Sequence, residues 1–500
     1  MSDKRMNFIF FFPDEMRADS VSCYGNPTVK MPNYDRLAKE GVKFDKCFVQ
    51  NPVCSPSRCS VMTGLYVHNF GHRSLWHLLR PYEPSLFRYL KNAGYDIAWF
   101  GKNDLYSQAY LDEILGDNEE MRLGDSSHIQ GSEGVSGGKN PYSIDDPEYY
   151  SFLHSPFKTE TGKPVIDDSI TKALDFLNSR KQGDKPFMLF LPIVMPHPPY
   201  KVFEEFYNMY DPKELIEELK SPDETSGKPS FAELIRKYRR LDKLSPEFFA
   251  KIYAVYLGMN SYVDLMLGEL LETLDRTGLY KNTTVIASSD HGDWAGNYGL
   301  VEKWPNAMDD DLLHVPLIIR TPDNKAGHSV REQVELFDIM PTALELAGIE
   351  AEHTHFARSL VPQLNGASGD PLRAVFAEGG YDLHEPVCFE NFEGRFAGSG
   401  HQSFMQNPAG VYYPKALQQK EYPESVCRTA MIRTSEYKLV KRTSGENELY
   451  DLKKDPREMT NVYSDECYRD IRLDLESKLL DWYIKTADTV PKTSDSRGFK

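Results

Sequence analysis

No stretch of the chain approaches the roughly 18 consecutive apolar residues that a membrane span requires, which argues against a membrane-embedded protein. The longest early apolar run, Phe8 to Phe12, also lacks the length and the small-residue cleavage site of a secretory signal. It ends in Pro13-Asp14 and reads as a strand, so the expected location is the cytoplasm. Positive charge is scarce: 58 basic residues against 75 acidic ones leave a net charge of −17, the wrong balance for a nucleic-acid backbone binder. An anionic substrate would need a local cluster of basic groups. Cysteines are few and odd in number; Cys23, Cys47, Cys54, Cys59, Cys388, Cys427 and Cys467 include no C-x-x-C pair, which excludes a disulfide framework and a structural zinc knuckle. Most of them fit the description of buried small hydrophobes.

What is present is a globular composition, with 40% hydrophobic, 12% aromatic and 27% charged residues over 500 positions. That length predicts more than one module. Short apolar runs at Asn7–Phe12, Asp96–Phe100, Phe187–Val194, Thr284–Ser288 and Val315–Ile319 predict strands. Between them Asn33–Glu40, Glu83–Ala93, Ile170–Ser179 and Phe248–Thr277 carry helical apolar spacing. The alternation predicts an α/β fold, a mostly parallel central sheet with helices on both faces. Two polar insertions, Gly124–Gly138 and Tyr200–Ser245, read as surface loops. Near Ala374 the texture changes: a hairpin around Ser435-Glu436 and a terminal helix over Asp465–Tyr483 predict a small α+β unit at residues 376–500, after a catalytic unit at 1–375.

In open α/β sheets ligands bind beyond the carboxyl ends of strands. The residues that follow the predicted strands there are ionisable: Asp14 and Glu15, Lys102 and Asp104, His197, and Asp290 with His291. Singly each has a bland reading, a helix cap for Asp14 or Asp290 and a structural imidazole for His197. Together they form an oxygen-rich set suited to a hard divalent cation, Ca²⁺ or Mg²⁺ ahead of zinc. Lys102, His197 and Lys303 could add positive charge for an anion on that metal. The sharpest signal is Cys54-Ser55-Pro56-Ser57-Arg58, followed by Thr63-Gly64. A phosphatase-type thiolate needs a longer cradle than the three residues between Cys54 and Arg58.

This motif resembles the signature of the type I sulfatases of the alkaline phosphatase superfamily, in which the cysteine becomes formylglycine. Further matches lie at Gly101-Lys102, Pro196-His197-Pro198-Pro199, Ser289-Asp290-His291-Gly292, Lys303, Val315-Pro316-Leu317-Ile318-Ile319 and Glu448-Leu449-Tyr450-Asp451-Leu452. Bacterial sulfatases and the related phosphonate monoester hydrolases share these features. The resemblance implies one Ca²⁺ bound by Asp14, Asp290, His291 and an oxygen of formylglycine 54, with Glu15 in the place of a second acidic ligand. It implies that Arg58 holds the formylglycine hydrate, that Lys102 and Lys303 neutralise sulfate, and that His197 contacts the bridging oxygen. Asp104 stands where the family often has a histidine, a departure from its pattern.

The expected activity is hydrolysis of a small sulfated sugar or similar polar sulfate ester, after maturation by a formylglycine-generating enzyme. The alternatives are a phosphonate or phosphate ester hydrolase on the same scaffold and a catalytically silent Ca²⁺-binding relative. His68, His72, Arg73, His77 and Glu378–His401 could line the approach, although ordinary surface polarity accounts for them equally.

Overall fold

The computed structural model describes residues 5–116, 122–123, 134–181, 183–385, 388 and 407–494. Among the described residues ten strands precede residue 340: β1 (Asn7–Phe11), β2 (Val42–Phe48), β3 (Asp96–Phe100), β4 (Arg122–Leu123), β5 (Val135–Gly137), β6 (Phe157–Thr159), β7 (Phe187–Leu191), β8 (Thr283–Ser288), β9 (His314–Arg320) and β10 (His328–Glu335). Eight of them form one sheet in the order β10-β2-β9-β8-β1-β7-β3-β4, and β5 and β6 form a separate ribbon. Within the large sheet β9 runs antiparallel to both its neighbours, β2 and β8. The other pairs, including β1 with β7 and β8 and β3 with β7, are parallel.

The central strands are buried on both sides because successive side chains alternate faces. Ile9 and Phe11 enter one core with Leu189, Leu191, Val285 and Ala287. Phe8, Phe10 and Phe12 enter the other with Met188, Phe190 and Ile286. The first core is roofed by the helix Pro246–Thr277. Its start and stop are chemically marked: Ser245 accepts the Phe248 N–H, Pro246 needs no donor, and Gly278 at φ 72° ends it.

One expectation fails here. The insertion Tyr200–Ser245 is not a surface loop: Tyr200, Val202, Phe206, Leu215, Phe231, Ile235 and Leu241 are buried in that first core. The helix Ser230–Tyr238, for example, buries Phe231 and Ile235 along one edge, and the charges around such residues mask that pattern in the sequence. The other insertion, Gly124–Gly138, lies outside the described residues except for 134–138.

A second, antiparallel sheet has the order β11-β12-β13-β14, with β11 Val375–Gly379, β12 Thr429–Arg433, β13 Tyr437–Arg442 and β14 Glu448–Asp451. Val375, Ala377, Met431 and Val440 face the main core. Ile432, Leu439 and Leu449 face the terminal helix Arg469–Thr486 through Leu475, Leu479 and Trp482. The second sheet is therefore clamped between the large sheet's core and the terminal helix.

Candidate active site

Because β1, β3, β7 and β8 are parallel, their carboxyl ends open on one edge of the sheet, and the segments that follow converge there. Asp14 continues β1, its N–H donating to Ile193 O at 2.9 Å. Glu15 takes a left-handed φ of 68°, and its N–H donates to Asp290 Oδ1 at 3.2 Å. Gly101, at φ 128°, turns the chain after β3; a Cβ there would lie 2.4 Å from Pro192 O, so only glycine lets Lys102 enter the site. Across this edge lies the helix Cys54–Thr63, in which every residue is buried and Cys54 forms the first turn.

Arg58 ties these elements together. Its Nε donates to Asp290 Oδ2 at 2.9 Å and its Nη2 to Asp14 Oδ2 at 2.8 Å, while Ser57 Oγ donates to Asp290 O at 2.6 Å. Cys54 Sγ lies 3.2 Å from His291 Nε2 and 3.7 Å from both Asp14 Oδ1 and Lys102 Nζ. His291 Nδ1 faces Gly292 O at 2.8 Å; a carbonyl only accepts, so Nδ1 carries the proton and the Nε2 lone pair faces Cys54. Burial pushes this imidazole below its usual range, which keeps it neutral.

The cations form the far side. Lys102 Nζ donates to Asp14 Oδ2 at 2.7 Å and pairs with Asp104 Oδ2 at 2.8 Å. Burial opposes ionisation of Asp14, but Lys102 and Arg58 outweigh it and hold the carboxyl well below the carboxylate range. Asp104 is likewise held down by Lys102 against its burial. Lys303 pairs with Glu15 and reaches His197 Nε2 at 3.2 Å. His197 donates from Nδ1 to Pro198 O at 2.6 Å, so its Nε2 accepts from Lys303. Burial together with Lys303 and Lys102 drives His197 well below its usual range, leaving the ammonium as the proton-bearing member of that pair.

The donor set fits a divalent cation. One ligand atom each from Asp14, Glu15, Cys54 and His291 lies within 4.8 Å of the others, the spread that ligands at roughly 2.3–2.6 Å from a common centre would show. Glu15 Oε2 is buried with no hydrogen-bond partner among the described residues. Burial, Asp293 and Asp14 push the Glu15 carboxyl well up even with Lys303 beside it, an excess of carboxylate that a cation would relieve. Asp290, expected among the ligands, is not in that four-atom group: Oδ1 accepts the Glu15 and His291 N–H groups and Oδ2 accepts Arg58.

The comparisons with known proteins agree on one family. The sulfatase family model matches residues 6–349, more than half of the chain. The chain belongs to the sulfatase family. It is a sulfuric ester hydrolase. A second match, to the family described as N-sulphoglucosamine sulphohydrolase, C-terminal, covers residues 401–485. The sulfatase is 28% identical to the uncharacterized sulfatase YidJ of Escherichia coli (strain K12), covering 97% of this chain and 88% of that one. It is 25% identical to an N-acetylglucosamine-6-O-sulfatase of Bacteroides thetaiotaomicron, covering 99% and 89%. Its fold is that of the phosphonate monoester hydrolase of Agrobacterium radiobacter, with a TM-score of 0.70 at 22% identity over 98% of this chain and 100% of the other.

Not every residue singled out in the sequence stands at this edge. His68 and Arg73 both bind the buried Glu378, and His68 also reaches Thr486. His72 lies 3.2 Å from Glu83. His68 and Arg73 thus fasten residues 68–73 to β11, and His68 also fastens them to the terminal helix. Of Glu378–His401, residues 386–387 and 389–401 lie outside the described residues. Conversely, the sequence gives no sign of Arg239 and Lys415, which meet Glu302 beside Lys303.

Proposed function

We propose that this sulfatase releases inorganic sulfate from a small sulfated sugar, using formylglycine formed from Cys54 and one bound Ca²⁺. The observation that carries the reading is the placement of Cys54 at a helix start within reach of Asp14, His291 and Lys102, with Arg58 behind it. Burial and Asp14 push the Cys54 thiol well up, so the unmodified side chain is a protonated thiol and a poor nucleophile. A hydrated aldehyde at this position supplies two hydroxyls on one carbon, one to attack sulfur and one whose lost proton expels sulfate. Arg58 Nη1, buried and without a hydrogen-bond partner among the described residues, is the group we assign to hold that hydrate.

Asp14, Glu15, His291 and residue 54 would hold Ca²⁺, with Asp290 at its margin, and the ion would supply Lewis acidity. Lys102 and Lys303 bind the sulfate oxygens, with Asp104 tethering Lys102. Lys303 and His197 together carry the proton beside the bridging oxygen. The charge of −17 disfavours long polyanions, so a mono- or disaccharide sulfate is the expected substrate. The family's N-acetylglucosamine-6-O-sulfatase supports a sugar in that role. We take residues 376–500 as a subdomain closing one side of the pocket.

Two measurements test this. Peptide mass spectrometry of protein co-expressed with a formylglycine-generating enzyme should find aldehyde at position 54; an intact thiol there refutes the modification. Specificity constants for a sulfated monosaccharide, its parent polymer, an aryl sulfate and a phosphonate monoester should favour the small sulfated sugar. A preference for the phosphonate would assign the protein to that hydrolase class, and fastest turnover of the polymer would overturn the size argument.

A further inference from the structure

Lys303 ends a loop, running on from Gly292, whose backbone is held in left-handed conformations at Ala295 (φ 45°), Tyr298 (58°) and Glu302 (64°). The last of these immediately precedes Lys303. A residue with a Cβ resists this region and glycine does not, so a glutamate there must be held by its surroundings. The surroundings are complete. The Glu302 N–H donates to Asp293 Oδ1 and to the Tyr200 hydroxyl, both at 3.1 Å. Its Oε2 accepts from Arg239 Nη2 at 2.6 Å, and its Oε1 accepts from Lys415 Nζ at 3.0 Å and lies 3.9 Å from Lys303 Nζ.

All four charged side chains are buried, from 1% exposed for Arg239 and Glu302 to 4% for Lys303. Arg239 Nε and Nη1 have no hydrogen-bond partner, and its guanidinium face lies 4.7 Å from the Phe152 ring centre, so the side chain's hydrogen bonding among the described residues is spent on Glu302. Lys415 comes from the helix Tyr413–Glu421, far along the chain in the region that includes the second sheet. Burial opposes the charge on Glu302, yet Lys415, Arg239 and Lys303 draw its carboxyl down to about 2. It is therefore a fixed anion facing three cations.

A buried ion cluster is weak evidence for stability, since apolar residues of similar volume often serve as well. Strain in the backbone adjoining Lys303 points instead to orientation. We propose that Glu302 is a positioning residue for Lys303, clamping the turn that delivers its ammonium to Glu15 and His197, with Arg239 and Lys415 as the anchors of the clamp. The C-terminal part of the chain thereby takes part in placing a cation at the reaction centre. This inference rests on the sulfate-ester reading, in which Lys303 and His197 face the bridging oxygen.

Misplacing a group by about 1 Å can cost on the order of a hundredfold in rate, and the cost falls hardest where the leaving group most needs help. The test is a double-mutant cycle of Glu302→Gln and Lys303→Met, read as kcat/KM on an aryl sulfate and on an alkyl or sugar sulfate. Glu302→Gln should lose about tenfold or more on the sugar sulfate and distinctly less on the aryl sulfate. In the Lys303→Met background it should change either value by less than about twofold. Equal losses on both substrates, or losses that multiply with those of Lys303→Met, would mean a purely structural cluster and overturn the proposal. Where Glu302→Gln does not fold, Lys415→Met, which keeps the Glu302–Arg239 pair, takes its place in the cycle: a loss that vanishes in the Lys303→Met background supports the clamp, and one that multiplies overturns it. Wild-type protein that hydrolyses a phosphonate ester but no sulfate ester would refute the substrate reading; the cycle then runs on the phosphonate and still decides the role of Glu302.

Discussion

Replacing Arg58 by Met tests the architecture of the site without relying on turnover. Both Asp14 and Asp290 are fully buried, and Arg58 donates one charge-assisted hydrogen bond to each. Removing one partner of a buried ion pair typically costs about 3–5 kcal/mol. The lower half of that range applies here, because Asp14 keeps Lys102 at 2.7 Å and Asp290 keeps the N–H groups of Glu15 and His291. An unfolding entropy of about 2 cal/mol/K per residue, over 500 residues, makes each kcal/mol worth about 1 °C, so Tm should fall by about 3–4 °C in chelator. Arg58 lies in the segment a converting enzyme would read, so the comparison belongs in a Cys54→Ala background where neither protein is modified. A divalent cation places positive charge on the same carboxylates, which the variant leaves less neutralised. Ca²⁺ should therefore bind the variant more tightly and narrow the gap in Tm by the mass-action law. Scanning calorimetry or dye-monitored melting with and without Ca²⁺ reads both effects. A loss below about 1 °C in chelator, or a gap that Ca²⁺ leaves unchanged or widens, would refute the reasoning that Arg58 and the metal share these carboxylates.

Other expectations follow from the same structure. Cys54→Ala should abolish turnover while leaving the melting curve close to wild type, and Cys54→Ser should fail nearly as completely because one hydroxyl cannot replace two; substantial turnover by either variant would refute the formylglycine reading. Asp14→Asn should remove most of the Ca²⁺-dependent rise in Tm, whereas an unchanged rise would place the ion elsewhere. Gly101→Ala, forced against Pro192 O, should displace Lys102 and cut kcat/KM by at least about tenfold with a modest change in Tm; wild-type kinetics would show that the turn tolerates a Cβ. The Glu302 carboxyl, at about 2 in the folded protein against an ordinary value near 4.5, contributes stability above about pH 4.5 that is lost as pH falls towards 2, roughly 3 kcal/mol in all. Urea titrations from pH 7 to 2 should show Glu302→Gln less stable than wild type at neutral pH, the difference closing in acid; a pH-independent difference would refute it. Glu458 has the opposite sign: burial and Asp310 raise it to about 7, so stability falls as pH rises from about 4.5 through 7, and Glu458→Gln should flatten that fall.

Much of this protein is written locally. The strand Asp96–Phe100 coincides with its expected bounds, and β1, β7, β8 and β9 differ from theirs by a few end residues, because each is a short apolar run bounded by polar residues. The helix Pro246–Thr277 is marked by Ser245, Pro246 and Gly278, all chemical signals within the chain itself. Strands β2 and β10 left no such signal: Val42–Phe48 and His328–Glu335 carry charged residues at sheet positions, tolerated because those strands lie at and next to one edge. The core role of Tyr200–Ser245 was likewise hidden by the charges around its buried residues.

At the site, residues in the segments that follow strands were legible, since parallel strands send their carboxyl ends to one edge wherever they lie in sequence. Asp14, Lys102, His197, Asp290 and His291 all follow that rule, and the Cys54–Arg58 motif adds the helix opposite. Tertiary structure decided what connects them. Arg58 bridges Asp14 and Asp290, Glu15 turns at φ 68° towards Lys303, and Asp290 gives both its oxygens to hydrogen bonds. Glu302, Arg239 and Lys415 are separated by tens to more than a hundred positions in the chain, and no local pattern marks any of them. Which residue types are ionisable is local chemistry; which of them are charged, and which share a charge, depends on burial and distances that only the packed chain defines.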